Sequence, residues 1–178
     1  MKNLVIIVFS ILTLSSCSNK PSLQKYFVEN TESKDFIAID LGSDIINTEK
    51  MSLTESDKEA LKSFEKINVL AFKKDEKNNE KYNSEILKVK TILKDTISYN
   101  ELMKFGSGND GASIYFVGDD NDHIDEFVLF ANKKENGFAV VRILGKDMNP
   151  MNIMNVINLM QKSDINLEQL KPLQEIMK

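Results

Sequence analysis

The sequence predicts an α+β fold: a single, mostly antiparallel five-stranded sheet with helices packed on it as a two-layer sandwich. Three observations lead there. Apolar runs of strand length recur in five places, and amphipathic stripes at helical spacing lie between and after them. The last three strand signals follow one another across short, turn-rich gaps, the pattern of an antiparallel meander and not of a doubly wound parallel sheet. A chain of 178 residues, 42% hydrophobic and 28% charged, is the right size and composition for one folded domain.

The elements are taken in chain order. Residues 1–16 read as an export signal: Lys2 gives a short basic start, and residues 4–14 form an apolar run too short to span a bilayer. Leu14-Ser15-Ser16-Cys17 resembles a bacterial lipobox. That resemblance implies cleavage after Ser16, a diacylglycerol on the Cys17 sulfur and acylation of the new amine. Residues 17–24 then form a lipidated tether containing Pro21, and residues 25–178 form the domain.

Within the domain, a helix precedes the first strand. Residues 36–41 alternate, with Ile37, Ile39 and Leu41 on one face, as a strand requires. Ser52 and Glu55 have capping-box spacing, and Leu61 and Phe64 extend that helix to about Lys66. Residues 67–72 are almost continuously apolar, the signature of a strand buried on both faces. Tyr82, Ile86, Val89 and Leu93 line one side of a second helix, and residues 99–105 read as a short third helix closed by Gly106. Strands follow at 112–117, 124–132 and 137–144. Beyond Pro150, the stripe Ile153, Val156, Ile157 and Met160 marks another helix, and residues 167–177 a last one, limited by Pro172.

Several of these segments together resemble a known family: Tyr26-Phe27, the strands 36–41 and 67–72, Tyr99-Asn100-Glu101-Leu102-Met103, the hairpin from Ile114-Tyr115-Phe116-Val117 to residues 124–128, and Val141-Arg142-Ile143-Leu144-Gly145. The chain is similar to small lipoproteins of Bacteroidetes-type bacteria grouped as domain of unknown function 4252. The resemblance implies a small α+β domain on a lipid anchor. It brings no catalytic residues to transfer.

Composition removes whole classes of chemistry. One Cys, one His and no Trp leave no disulfide and no Cys/His zinc site. A net charge of −4 argues against nucleic acid as a partner. Gly106-Ser107-Gly108-Asn109-Asp110-Gly111 spells the dinucleotide fingerprint, but the expected order of elements around it is wrong for that site. Asp119, Asp120 and Asp122, next to His123, are the candidate metal ligands; the spacing fails the EF-hand pattern, and a hairpin turn accounts for it better. Met148, Met151, Met154 and Met160 read as core filler before an adaptable partner surface. Phe116, Phe127, Phe130 and Phe138 read as sheet packing.

The expectation is a lipoprotein of the outer membrane facing the periplasm, held by the lipid on Cys17 and needing no other cofactor. It has no recognisable catalytic set, so binding of an envelope protein is the leading role. A periplasmic carboxylate-dependent hydrolase and a carrier or sensor of small apolar ligands are the alternatives.

Overall fold

The computed structural model describes residues 20–107, 110–120 and 123–162. Ser22 opens the first helix, α1 (Leu23–Asn30), by accepting from the Lys25 amide, and Leu23 is fully buried. Strand β1 (Phe36–Gly42) follows and ends in a 3₁₀ turn at Ser43–Ile45. Helix α2 (Glu55–Ser63) begins at a capping box made by Thr54 and Asp57, two residues later than the Ser52/Glu55 pairing read from sequence. It also stops sooner, because Phe64 already belongs to β2 (Phe64–Lys73). Helix α3 (Asn79–Leu93) holds the stripe Tyr82, Val89 and Leu93 in the core, as its spacing predicts.

The remaining strands are β3 (Asn100–Ser107), β4 (Asp110–Asp120), β5 (His123–Lys133) and β6 (Gly137–Met148), before helix α4 (Pro150–Lys162). The sheet order is β1-β2-β6-β5-β4-β3, with every neighbouring pair antiparallel. The α+β class and the antiparallel sheet carrying helices therefore stand. The strand count is corrected from five to six, because the segment expected to be a short third helix is β3. Its register slips between Glu101 and Met103, and a bulge of that kind breaks the period-two alternation by which a strand is recognised.

The two-layer arrangement is corrected as well, since helices pack on both faces. On the first face, α1 and α3 enclose a core of Leu23, Tyr26, Phe27, Phe36, Leu70, Phe72, Val128, Phe130, Phe138 and Val140. Alternation sends the intervening residues to the second face, where Ile39, Leu41, Ile67 and Val69 meet Ala60 of α2 and Val156 and Leu159 of α4. At the lower end of that face, Ile153 of α4 packs on Ile124, Phe127 and Met148. The expected helix at 167–177 lies outside the described residues.

Candidate interaction surface

The buried polar groups identify what the first face is built to do. Arg142, the chain's single arginine, is 4% exposed on β6. Its Nε donates to Glu126 Oε1 at 2.6 Å and its Nη2 to Oε2 at 2.9 Å, a bidentate pair across β5 and β6. Its Nη1 donates to Gln24 Oε1 at 2.7 Å, and its guanidinium lies 5.3 Å from the Phe27 ring centroid. Tyr26 donates its hydroxyl proton to Glu85 Oε2 at 2.9 Å, and Lys88 Nζ closes on Glu85 Oε1 at 2.7 Å. The Leu23 amide donates to the Tyr99 hydroxyl at 3.2 Å. All three groups of contacts fasten α1 to the sheet or to α3.

Burial and the adjacent Glu85 carboxylate push the Tyr26 hydroxyl far above its ordinary value, so it stays protonated and donates. Among the described residues the two buried carboxylates, Glu85 and Glu126, are each committed to a partner. Acid–base chemistry needs a carboxylate free to exchange its proton with a substrate, and this pair is tied up in structure.

The second face is different. Across the sheet, one register row reads Ile37, Ala71, Ala139, Ala131, Ala112, Phe105, so four neighbouring strands present alanine side by side. The next row reads Ile39, Val69, Val141, Leu129, Ile114, Met103. Between them runs an open groove of about 520 Å³ lined by Val69, Ala71, Ala131, Ala139 and Val141. Helices α2 and α4 cover the β1–β2 side and the lower end of this face. Over the rest, Met103 is 47% exposed, Phe105 51% and Leu129 37%. Such a contiguous apolar area is the mark of an interaction surface.

Strand β3 borders this face as the last strand of the sheet, and no strand among the described residues pairs with its outer side. This eight-residue edge carries exposed Leu102, Met103 and Phe105, interrupted by the charges of Glu101 and Lys104 and by the bulge between Glu101 and Met103, and its free main-chain groups between those features can template another strand.

The residues singled out in the sequence fall as follows. Cys17 and Asp122 lie outside the described residues. Asp119 and Asp120 end β4, and His123 starts β5 at the facing position of the hairpin. Asp120 Oδ1 accepts from the His123 amide and contacts the His123 ring nitrogen Nδ1, both at 2.9 Å. These are turn contacts, and among the described residues no three His, Cys, Asp or Glu side chains converge on one point. Of the glycine motif, Gly106 takes a φ of 77° and pairs with Gly111; β3 precedes the motif and β4 follows it, and among the described residues no helix begins there to receive a phosphate. Met148 is core and Met160 half-buried, whereas Met151 and Met154 project outward at 65% and 54% exposure.

Comparison with known families now has a fold to attach to. The pattern of the domain of unknown function DUF4252 matches residues 26–156. The chain belongs to the DUF4252 family. The match runs from α1 into α4 and so takes in all six strands of this DUF4252 domain. No curated protein and no solved structure matches the chain.

Neither the edge nor the apolar face was read as a site in the sequence. Both arise from pairing order, which places β3 outermost. Arg142 did leave a signal: one charge within the run Val-Val-Arg-Ile-Leu needs a buried partner.

Proposed function

We propose that this DUF4252 protein is a lipid-anchored module of the bacterial envelope that binds another protein and catalyses no reaction. The observation that carries this reading is the open edge of β3, with Leu102, Met103 and Phe105 exposed along it. The partner that fits is an extended segment with alternating apolar residues. It would add to β3 as a seventh strand, main-chain hydrogen bonds supplying affinity and the apolar side chains specificity.

The attachment of α1 supports the anchoring part. Lys20 Nζ pairs with Asp95 at 2.6 Å, and Ser22 caps a helix whose first residue is fully buried. A lipid on Cys17 would thus join a fixed body through a tether of at most about 18 Å to Ser22 when extended. That distance is under the width of a small domain, so such a leash fixes the anchored end near the membrane and presents the rest outward. An outer-membrane site facing the periplasm accords with Ser18 after the cysteine.

Two measurements test the proposal. Growth on labelled palmitate places label on the wild-type chain in the membrane fraction, and Cys17→Ser abolishes both label and membrane association. Label retained by Cys17→Ser overturns the anchor. A photo-crosslinking residue at Leu102 in living cells gives a discrete protein adduct that Met103→Lys removes, while the same residue at Glu59 on α2 gives none. Absence of an adduct at Leu102 overturns the binding role.

A further inference from the structure

The turn that follows α3 is held firmly, yet it exposes one large apolar side chain. The Ser98 and Tyr99 amides donate to the Asp95 carbonyl. The Asp95 carboxylate accepts from the Ile97 amide at 3.3 Å and from the Ser98 hydroxyl at 2.8 Å. Leu93 before the turn and Tyr99 after it are buried in the core of the first face. Between them Ile97 is 87% exposed, more than any other large apolar side chain among the described residues. A loose loop could fold such a side chain inward. This turn is fixed by its own hydrogen bonds and its buried neighbours, so Ile97 stays in water unless something outside the domain covers it.

The chain arrives from Cys17 at the same place. Lys20 Nζ pairs with Asp95 Oδ2 at 2.6 Å, and the Leu23 amide donates to the Tyr99 hydroxyl, so the entry to α1 is pinned beside the exit from α3. Three peptide links join Cys17 to Lys20, a reach of at most about 11 Å. Given the lipid on Cys17, the reading on which this inference rests, chain length alone keeps the bilayer surface close to Lys20 and to the turn it pairs with. The charges there suit anionic headgroups. Asp95, the acidic group of the turn, is matched by Lys20. Lys94 is exposed at the end of α3, Lys90 lies one turn before it, and neither forms an ion pair among the described residues.

We propose that the turn at residues 95–98 is the membrane contact of this domain. Ile97 inserts at the boundary between headgroups and acyl chains, and Lys94 meets the phosphates of anionic phospholipid. That boundary accepts an apolar side chain below and an ammonium group at phosphate level. One inserted side chain holds a bilayer weakly by itself, but the lipid on Cys17 keeps the turn at the surface, and two signals together fix an orientation. The other end of α3 then stands clear of the membrane, about 22 Å away along the helix. The β5–β6 hairpin sits at that far end, where Lys74 Nζ donates to the Lys134 carbonyl at 2.8 Å.

The test uses the lipidated chain purified from membranes and placed in vesicles of phosphatidylethanolamine with phosphatidylglycerol. Acylation occupies Cys17, so an introduced cysteine is the single free thiol. A polarity-sensitive fluorophore on Thr96→Cys is expected to shift to the blue. Nitroxides on the lipid acyl chains should quench it several-fold more than the same fluorophore on Glu135→Cys in the far hairpin. Adding Ile97→Asp should cut the quenching at Thr96 several-fold. Replacing phosphatidylglycerol by phosphatidylcholine should also lower it, an effect that Lys94→Glu removes. Equal quenching at the two sites, or quenching at Thr96 that Ile97→Asp leaves unchanged, overturns the contact. A phosphatidylglycerol effect that survives Lys94→Glu overturns the headgroup assignment. Flotation with the vesicles reads the anchor separately: a chain that floats without quenching at Thr96 loses the contact and keeps the anchor, and one that does not float loses both.

Discussion

Arg142 shows how one residue organises a whole face of the domain. Its side chain is 5% exposed and that of Glu126 11%, so each would be a severe liability alone. Arg142→Met leaves the Glu126 carboxylate buried without its cation and is expected to cost about 3–5 kcal/mol in urea unfolding. Pairing it with Glu126→Leu should recover most of that loss, because two apolar side chains of similar volume need no compensation. If the double variant is no better than the single one, the pair contributes through something other than charge satisfaction. Tyr26 gives a pH prediction with a definite sign. Burial first, and then the Glu85 charge and hydrogen bond, raise its value in the fold above the ordinary 10.0. Neutral Tyr26 therefore stabilises the fold fully below pH 10, and that stability is lost as pH rises further. Tyr82, Tyr99 and Tyr115 are raised in the same direction, burial being the first cause for each. Titration should show tyrosinate absorbance and loss of circular dichroism appearing together above pH 10. Tyr26→Phe should delay neither by much unless its hydroxyl is the first to ionise, so Tyr26→Phe also measures its share.

At the level of elements, caps and bulges decided what hydrophobic pattern left open. Thr54 accepts from the Asp57 amide, while the Asp57 carboxylate accepts from the Thr54 amide and hydroxyl. Those bonds hold the Asp57 carboxyl below its ordinary range. Thr54→Ala should destabilise the protein by about 1 kcal/mol in thermal unfolding, whereas Ser52→Ala should be neutral. The reverse ranking would restore Ser52 as the cap. The boundary at Ser63 and Phe64 was illegible for a related reason. Phe64 lies at helical spacing from Leu61 and Ala60, yet it pairs with Gly145 and is buried as the first residue of β2. Strand β3 is the larger case. Tyr99, Leu102, Met103 and Phe105 suit a helical turn locally, and only the ladder with β4 makes an extended conformation the better one. Helix α3, by contrast, was legible throughout, since its stripe is long and regular.

At the level of the molecule, one sheet carries two cores. All four tyrosines, Tyr26, Tyr82, Tyr99 and Tyr115, pack on the first face, while α2 and α4 sit on the second. Because the strands supply both faces, neither core can persist alone, and unfolding should be a single transition. Leu159→Ala on the second face should cost about 2–5 kcal/mol and shift tyrosine fluorescence and circular dichroism to one common lower midpoint. A tyrosine signal left at its original midpoint would mean that the faces unfold separately. The sequence by itself determined the α+β class, the antiparallel meander and the stripe of α3, because each depends on local spacing. The tertiary structure alone decided that helices cover both faces, that β3 is the outermost strand and that alanines from three strands line a groove. Those features come from the order in which distant strands pair, and no window of neighbouring residues contains that order.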